Sequence, residues 1–231
     1  MGDETHIDVT TKWLAACGVV LSVLDMVITA WLGALDPGYS HARQFISELG
    51  EYGRPYAAAF NAWCFAYGLL LAGFAVAVGR GLGSRSVFIA LLTVAVASIA
   101  GGVFPCDPGC AGRSPSARVH FLTGYVSLAA ILLTPFLAWF AMRGNPAWRG
   151  YRAFTLASGS LLVAAIGWLA ACHYSGRGPA GVAQRLVLGV QYAWMVVVAV
   201  RLWRLGGRRS AGLATSADPL VSQGPTGPTP G

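Results

Sequence analysis

Six long apolar runs constrain this chain more than any other feature. They lie at approximately Trp13–Leu35, Tyr56–Val78, Ser86–Phe104, Val119–Met142, Tyr151–Cys172 and Gly181–Leu202. Crossing the hydrocarbon of a bilayer takes about 20 residues at a helical rise of about 1.5 Å, and each run is that long. None alternates apolar with polar residues, as a barrel strand must. Inside lipid every backbone amide needs a partner within its own segment, so the runs are expected to be helices. The predicted fold is therefore all-α: a polytopic membrane protein with a six-helix transmembrane bundle over 12–205. A polar segment over 1–11 precedes it. A tail over 206–231, rich in Gly, Ser, Thr and Pro, is expected to be disordered.

Charge supports the same class. Only 11% of the 231 residues are charged, against about 25% in soluble domains. The formal charge is +7, but the basic residues are scattered between apolar runs. That pattern fits membrane flanks and argues against a nucleic-acid face. Most of the sixteen Lys and Arg fall on the side shared by the two termini, which predicts that both termini are cytoplasmic. Asp3, Glu4 and Asp8 precede the first run instead of a basic cluster, so it reads as a retained anchor rather than a signal peptide. The expected partners are the lipid bilayer and a lipid or small-molecule ligand. The sequence leaves the oligomeric state open.

Chemistry must be sought in the few polar places left. On this topology three loops face outward. The first, Asp36–Pro55, has Phe45, Ile46 and Leu49 at helical spacing, and Gly50 where a helix C-cap would stand. It predicts a short amphipathic helix, about His41 to Leu49, lying on the outer surface. The second reads Phe-Pro-Cys-Asp-Pro-Gly-Cys over 104–110, with His120 ten residues on. Outside the cytoplasm Cys106 and Cys110 are expected to form a disulfide, and Asp-Pro-Gly between them favours the turn it needs. A metal site, a redox dithiol, and Cys172 as the other partner are the alternatives. One C-x-x-x-C without a second pair specifies a metal only weakly. The third loop, after His173, is short and rich in Gly.

These loops bring titratable groups to one membrane face. Glu48, Asp107 and His120 are the candidate catalytic set. Ser47, Asn61 and His173 are candidate ligand-binding residues beside them. Such groups suit acid–base work on a lipid headgroup. Zinc is the one cofactor these residue types would suit, although neither H-E-x-x-H nor H-x-x-x-H spacing is present to specify it. Asp25 is a separate case. It lies about ten residues below the outer end of the first run, hence roughly 15 Å down, near the midplane. A carboxylate there is expected to face the protein interior. Tyr67 and Gln191 fall at matching depth, so Asp25, Tyr67 and Gln191 are candidates for one buried hydrogen-bonded set.

Several of these residues sit in a recurring pattern: Tyr39-Ser40, Ile46-Ser47-Glu48-Leu49-Gly50, Gly53-x-Pro55, Asn61, Gly68, then Gly102-x-Phe104-Pro105-Cys106-Asp107 and His120. This pattern resembles a prokaryotic multi-pass membrane family known as domain of unknown function 998, from about the first run to the sixth. It is also distantly similar to the Frag/DRAM/Sfk group of six-helix membrane proteins, some of which are linked to lipid or GPI-anchor handling. The resemblance implies a prokaryotic plasma membrane location. It implies that Ser47, Glu48, Asn61, Asp107 and His120 match motif positions, and it implies no reaction.

Three functional readings follow. The first is a membrane protein of unassigned activity whose outward polar site (Glu48, Asn61, Asp107, His120) belongs to a scaffold or accessory subunit. The second is an outer-leaflet enzyme or lipid-binding protein using that site. The third is a small-molecule or proton-coupled transporter using Asp25, although no internal repeat or broken helix pair is evident.

Overall fold

A computed structural model describes residues 8–110 and 112–216, with side chains through 206. The expected segment over 1–11 and the tail over 206–231 therefore fall largely outside the described residues. The described chain is all-α, with six helices long and apolar enough to cross a membrane. They are α1 Val9–Leu35, α2 Ala57–Leu82, α3 Arg85–Val103, α4 Pro115–Arg143, α5 Arg152–Ser175 and α6 Ala180–Ser216.

Local chemistry sets the ends. α1 begins at Val9 because the Asp8 carboxylate accepts from the Thr11 amide at 2.7 Å, an N-cap. Ser84 and Ser114 cap α3 and α4 in the same way, and Pro115 takes the first turn of α4, where its missing N–H is harmless. α2 and α5 stop at Gly83 and Gly176, both left-handed. α6 continues through Ser216, past the point where the sequence suggested disorder. No proline occurs between Ala180 and Ser216, and adding residues to a formed helix is cheap.

Each helix packs on its neighbours in chain order, and α6 returns to α1, so the six form a closed ring. Outside the ring, large apolar side chains are exposed on every helix: Met26, Leu69, Val96, Leu133, Leu161 and Val182 among them. In water that surface would aggregate; in lipid it is the correct face.

The two ends of the ring differ. At the end carrying the termini the bundle is packed solid around Phe74, Met142, Trp148, Trp194 and Leu202, all buried. Trp148 donates from Nε1 to the Gly81 carbonyl, Trp194 donates to Thr155 Oγ1, and Arg152 donates to the last carbonyls of α4. At the opposite end the loop between α1 and α2 folds down as a lid. Only Ile46–Gly50 is helical there, as a 3-10 turn. The surface helix expected over His41–Leu49 is replaced by turns up to Gln44, and Ile46, Glu48 and Leu49 are buried. The apolar residues point into the bundle instead of along its surface.

The lid is held from α6. Ile46 N–H donates to Gln184 Oε1 at 2.6 Å. Arg185 donates to the His41 carbonyl at 2.8 Å, to Tyr39 OH at 2.8 Å and to His41 Nδ1 at 3.1 Å. Gly181 allows this approach, since a Cβ there would run into the carbonyl oxygens of His41 and Gln44. Val182 N–H also bonds the Ala42 carbonyl at 3.2 Å. Gly181→Leu is expected to push the lid off α6 and lower stability by about 1–3 kcal/mol, the range for overpacking. Thermal unfolding in detergent against wild type measures it.

Candidate functional site

The polar residues expected at the outer face divide between two tasks. One group holds the lid and the second loop. Glu48 accepts from its own loop, at Phe45 N–H (2.8 Å) and Gln44 Nε2 (2.7 Å). Asn61 donates to the Gly50 carbonyl at 3.1 Å. Asp107 accepts from the amides of Arg113 (2.9 Å) and Ser114 (2.8 Å). Hydrogen bonds from the Ser114 side chain and amide, with a further one from the Arg113 amide, hold its carboxyl below the usual range. Arg54 bridges Asp36 (3.2 Å) and Glu51 (2.7 Å), and Glu51 reaches the Gly109 amide of the second loop.

Cys106 and Cys110 are joined in a disulfide, with Cα atoms 5.0 Å apart, while Cys172 is free and buried. Cys106, Cys110 and His120 are the one His/Cys/Asp/Glu group with metal-like spacing among the described residues, their ligand atoms within 4.8 Å. With the sulfurs joined neither is a thiolate, so they do not fit a zinc ion, which is bound through thiolates and imidazoles. His120 Nδ1 lies 3.0 Å from the Phe104 carbonyl, leaving Nε2 as the free ring nitrogen.

The second group lines a cavity. A space of about 220 Å³ lies inside the ring, beneath the lid. Its walls come from helical stripes: Phe60, Trp63, Cys64 and Tyr67 on α2; Val94, Ala97, Ser98 and Gly101 on α3; His120, Thr123, Gly124, Ser127, Leu128 and Ile131 on α4; Gln184, Val187, Leu188 and Tyr192 on α6. Each stripe repeats at three or four residues, the spacing of one helix face. Ile46 and Ser47 of the lid close the top, and Asp25 of α1 is part of the wall.

Asp25 is 7% exposed. Trp63 Nε1 donates to its Oδ1 at 2.7 Å and Tyr192 OH to its Oδ2 at 2.6 Å. A charged side chain at bilayer centre costs on the order of 2.5–3.5 kcal/mol on insertion scales, and hydrogen bonds to a carboxylate offset part of that. Of the set expected from depth, Asp25, Tyr67 and Gln191 are all buried, but the side chains that bond Asp25 are Trp63 and Tyr192. Tyr67 does line the cavity, its ring 6.5 Å from that of Tyr192. Gln191 is buried, but its Oε1 has no partner. It sits one position before Tyr192, hence about 100° around α6. Depth alone cannot tell these two neighbours apart.

Two further cavities adjoin this one. One, also about 220 Å³, lies between α1 and α6 and shares Asp25, Ile46, Leu188 and Tyr192 with it. The other, about 290 Å³, lies between α4, α5 and the lid and shares Ser47, His120, Gly124, Leu128 and Gln184. His173, whose ring is 5.7 Å from Phe45, lines this last cavity. Ser47, His120 and His173 thus meet at one space, whereas Glu48, Asn61 and Asp107 line none of the three.

A family model described as Protein of unknown function (DUF998) matches residues 18–201. The chain belongs to this family. The match begins in α1 before Asp25 and ends in α6 beyond Tyr192, so all three cavities of this DUF998 chain lie within it. No curated protein and no solved structure matches the chain.

The α4 stripe was open to sequence reading. His120, Thr123, Gly124 and Ser127 are polar or small at helical spacing inside an otherwise apolar run, the pattern of a helix face turned from lipid. Trp63 and Tyr192 gave no such signal, because an aromatic residue in a span suits lipid, core and cavity alike.

His41 supplies a test of the lid. Burial, then the neighbouring Arg185 guanidinium, pushes its pKa below the ordinary 6.5. Arg185 only donates, so His41 Nδ1 must accept and be unprotonated. The unfolded chain takes the proton more readily. Stability is therefore complete above pH 6.5 and falls as pH drops from there toward the lower folded value. A pH series of unfolding temperatures is expected to show this acid-side loss in wild type and a flatter profile in His41→Ala.

Proposed function

We propose that this multi-pass membrane protein binds a small ligand inside its transmembrane bundle, in the cavity that Asp25 lines, with access from the side of the lid. On the orientation favoured by the basic residues, that is the outer side of a prokaryotic plasma membrane. The observation that carries the reading is Asp25 itself. A carboxyl group near the middle of a membrane span lines an open cavity while two aromatic side chains hold it in position. Ligand sites are commonly concave, mostly apolar and fitted with a few fixed polar groups, and this wall matches that description.

The alternatives have less support. Glu48 and Asp107 are engaged with their own loops, which leaves the catalytic reading without its two carboxylates. The solid packing around Trp148 and Trp194 at the terminal end favours a binding site reached from one side over an open passage through the bundle. A scaffold role for the lid residues is compatible with ligand binding beneath it.

The glycines of the cavity wall provide the test. A Cβ at Gly124 meets nothing within 4 Å, so a larger side chain there enters empty space, and Gly124 faces both principal cavities. Ser127→Cys is expected to react with a membrane-impermeant maleimide applied from the lid side, above the wild-type background. Adding Gly124→Phe is expected to slow that reaction about tenfold or more while the unfolding temperature stays close to that of the parent. Equal labelling with and without Gly124→Phe, or labelling only from the side of the termini, would overturn the reading.

A further inference from the structure

The wall around Asp25 specifies a class of ligand. Among the described residues the only side-chain ion pairs are those of Arg54 with Asp36 and Glu51; Asp25 has none. Arg185 borders the neighbouring cavity with Asp25, yet its guanidinium is engaged by Tyr39 and His41 of the lid and by the Gly181 carbonyl of its own helix. Each Asp25 oxygen accepts one side-chain hydrogen bond, and a carboxylate has about four acceptor positions. The group is therefore fixed in place, without an ion-pair partner among the described residues, and able to accept more.

Its surroundings are aromatic. Trp63 and Tyr192 donate to Asp25 through N–H and O–H at the ring edge, and both rings line the cavity. Tyr67 stands edge-on to Trp63 at 6.3 Å and tilted to Tyr192 at 6.5 Å, and Phe60 borders the same space. Ring faces carry the negative end of the aromatic quadrupole and attract cations, most strongly where water is excluded. An anion would meet repulsion from both the carboxylate and the rings. A neutral ligand would gain no charge attraction from either, only a hydrogen bond to the carboxylate where it carries a donor. The volume of about 220 Å³ is below the roughly 300–1,000 Å³ of drug-sized sites, so the charged part must be compact. The adjoining cavity of about 290 Å³, bordered by Phe121, Tyr125, Ile166 and Leu169, can take an apolar substituent.

We propose that the cavity binds a monovalent alkylated ammonium cation, its head between the Asp25 carboxylate and the faces of Trp63, Tyr67 and Tyr192. This rests on the cavity being a ligand site, as argued above.

The full chain in detergent micelles is titrated with choline, with tetraethylammonium, and with the neutral isostere of choline in which carbon replaces the quaternary nitrogen. Isothermal titration calorimetry and tryptophan fluorescence report binding. Both cations are expected to saturate. The neutral isostere is expected to bind about 30-fold more weakly or worse, the discrimination a desolvated cation–π contact supplies. Asp25→Asn, which keeps the shape, is expected to weaken the cations by a similar factor and leave the isostere unaffected. Tyr67→Leu, which removes one ring face, is expected to weaken the cations about tenfold. Equal affinity for choline and its isostere, cation binding by Asp25→Asn at wild-type strength, or no saturable cation binding would each overturn the assignment. If Asp25→Asn does not fold, the wild-type choline-to-isostere ratio and Tyr67→Leu decide the question. The cysteine-labelling result at Ser127 is independent of ligand charge, so a binding cavity with the wrong selectivity is distinguishable from no binding cavity.

Discussion

Inside hydrocarbon a polar group has only the protein for a partner, and this architecture depends on that constraint. It makes each span a helix, because only a helix satisfies its own backbone. It also governs the few polar side chains within the spans. Ser22, Thr29, Thr134 and Ser158 each return their hydroxyl to a carbonyl four residues back on the same helix. Asp25 cannot do this. It is satisfied by α2 and α6 together, through Trp63 and Tyr192, and so ties three helices at one depth.

The lid meets the same constraint at the membrane face. Its backbone dips below the loop surface and needs donors and acceptors from elsewhere. Gln184, Arg185 and Asn61 supply them from the helices, while Glu48 supplies them from within the loop. The disulfide loop is tied on through the Glu51 carboxylate to Gly109 and the Tyr52 amide to the Cys106 carbonyl. The residues that looked most chemical in the sequence are thus mostly the ones that keep irregular backbone satisfied. Both tasks select the same residue types, since a carboxylate that can take a proton can also accept an amide. Sequence reading therefore picked out Glu48 and Asp107 without being able to tell holding from reacting.

Much of the fold was legible in one dimension. The length of each apolar run against the bilayer, and the absence of alternation, were enough for six helices in an all-α bundle. The Cys106–Cys110 pairing followed from a short turn and its expected compartment. The lid differs from the expected surface helix because Phe45, Ile46 and Leu49 would share a face on a helix, yet Ile46 and Leu49 also point inward from a 3-10 turn. The site was legible only in part. Asp25, Tyr67, Ser47 and His120 were singled out, but Trp63, Tyr192 and Gln184 were not, and Gln191 stood in the place of its neighbour.

The sequence by itself determined the class of object, because hydrophobic length and the demand for backbone partners act within a segment and leave one solution. It also marked Asp25 as a residue that must face protein. Which residues meet Asp25 was decided only by the tertiary structure. The rotation of each helix about its own axis is set by packing against its neighbours, and a single position along α6, about 100° of rotation, separates Tyr192 on the carboxylate from Gln191 with an unpartnered oxygen. The cavity is likewise a property of the assembled ring. Its walls are mostly apolar helical stripes carrying a few polar side chains, and they become a site only where those stripes converge beneath the lid.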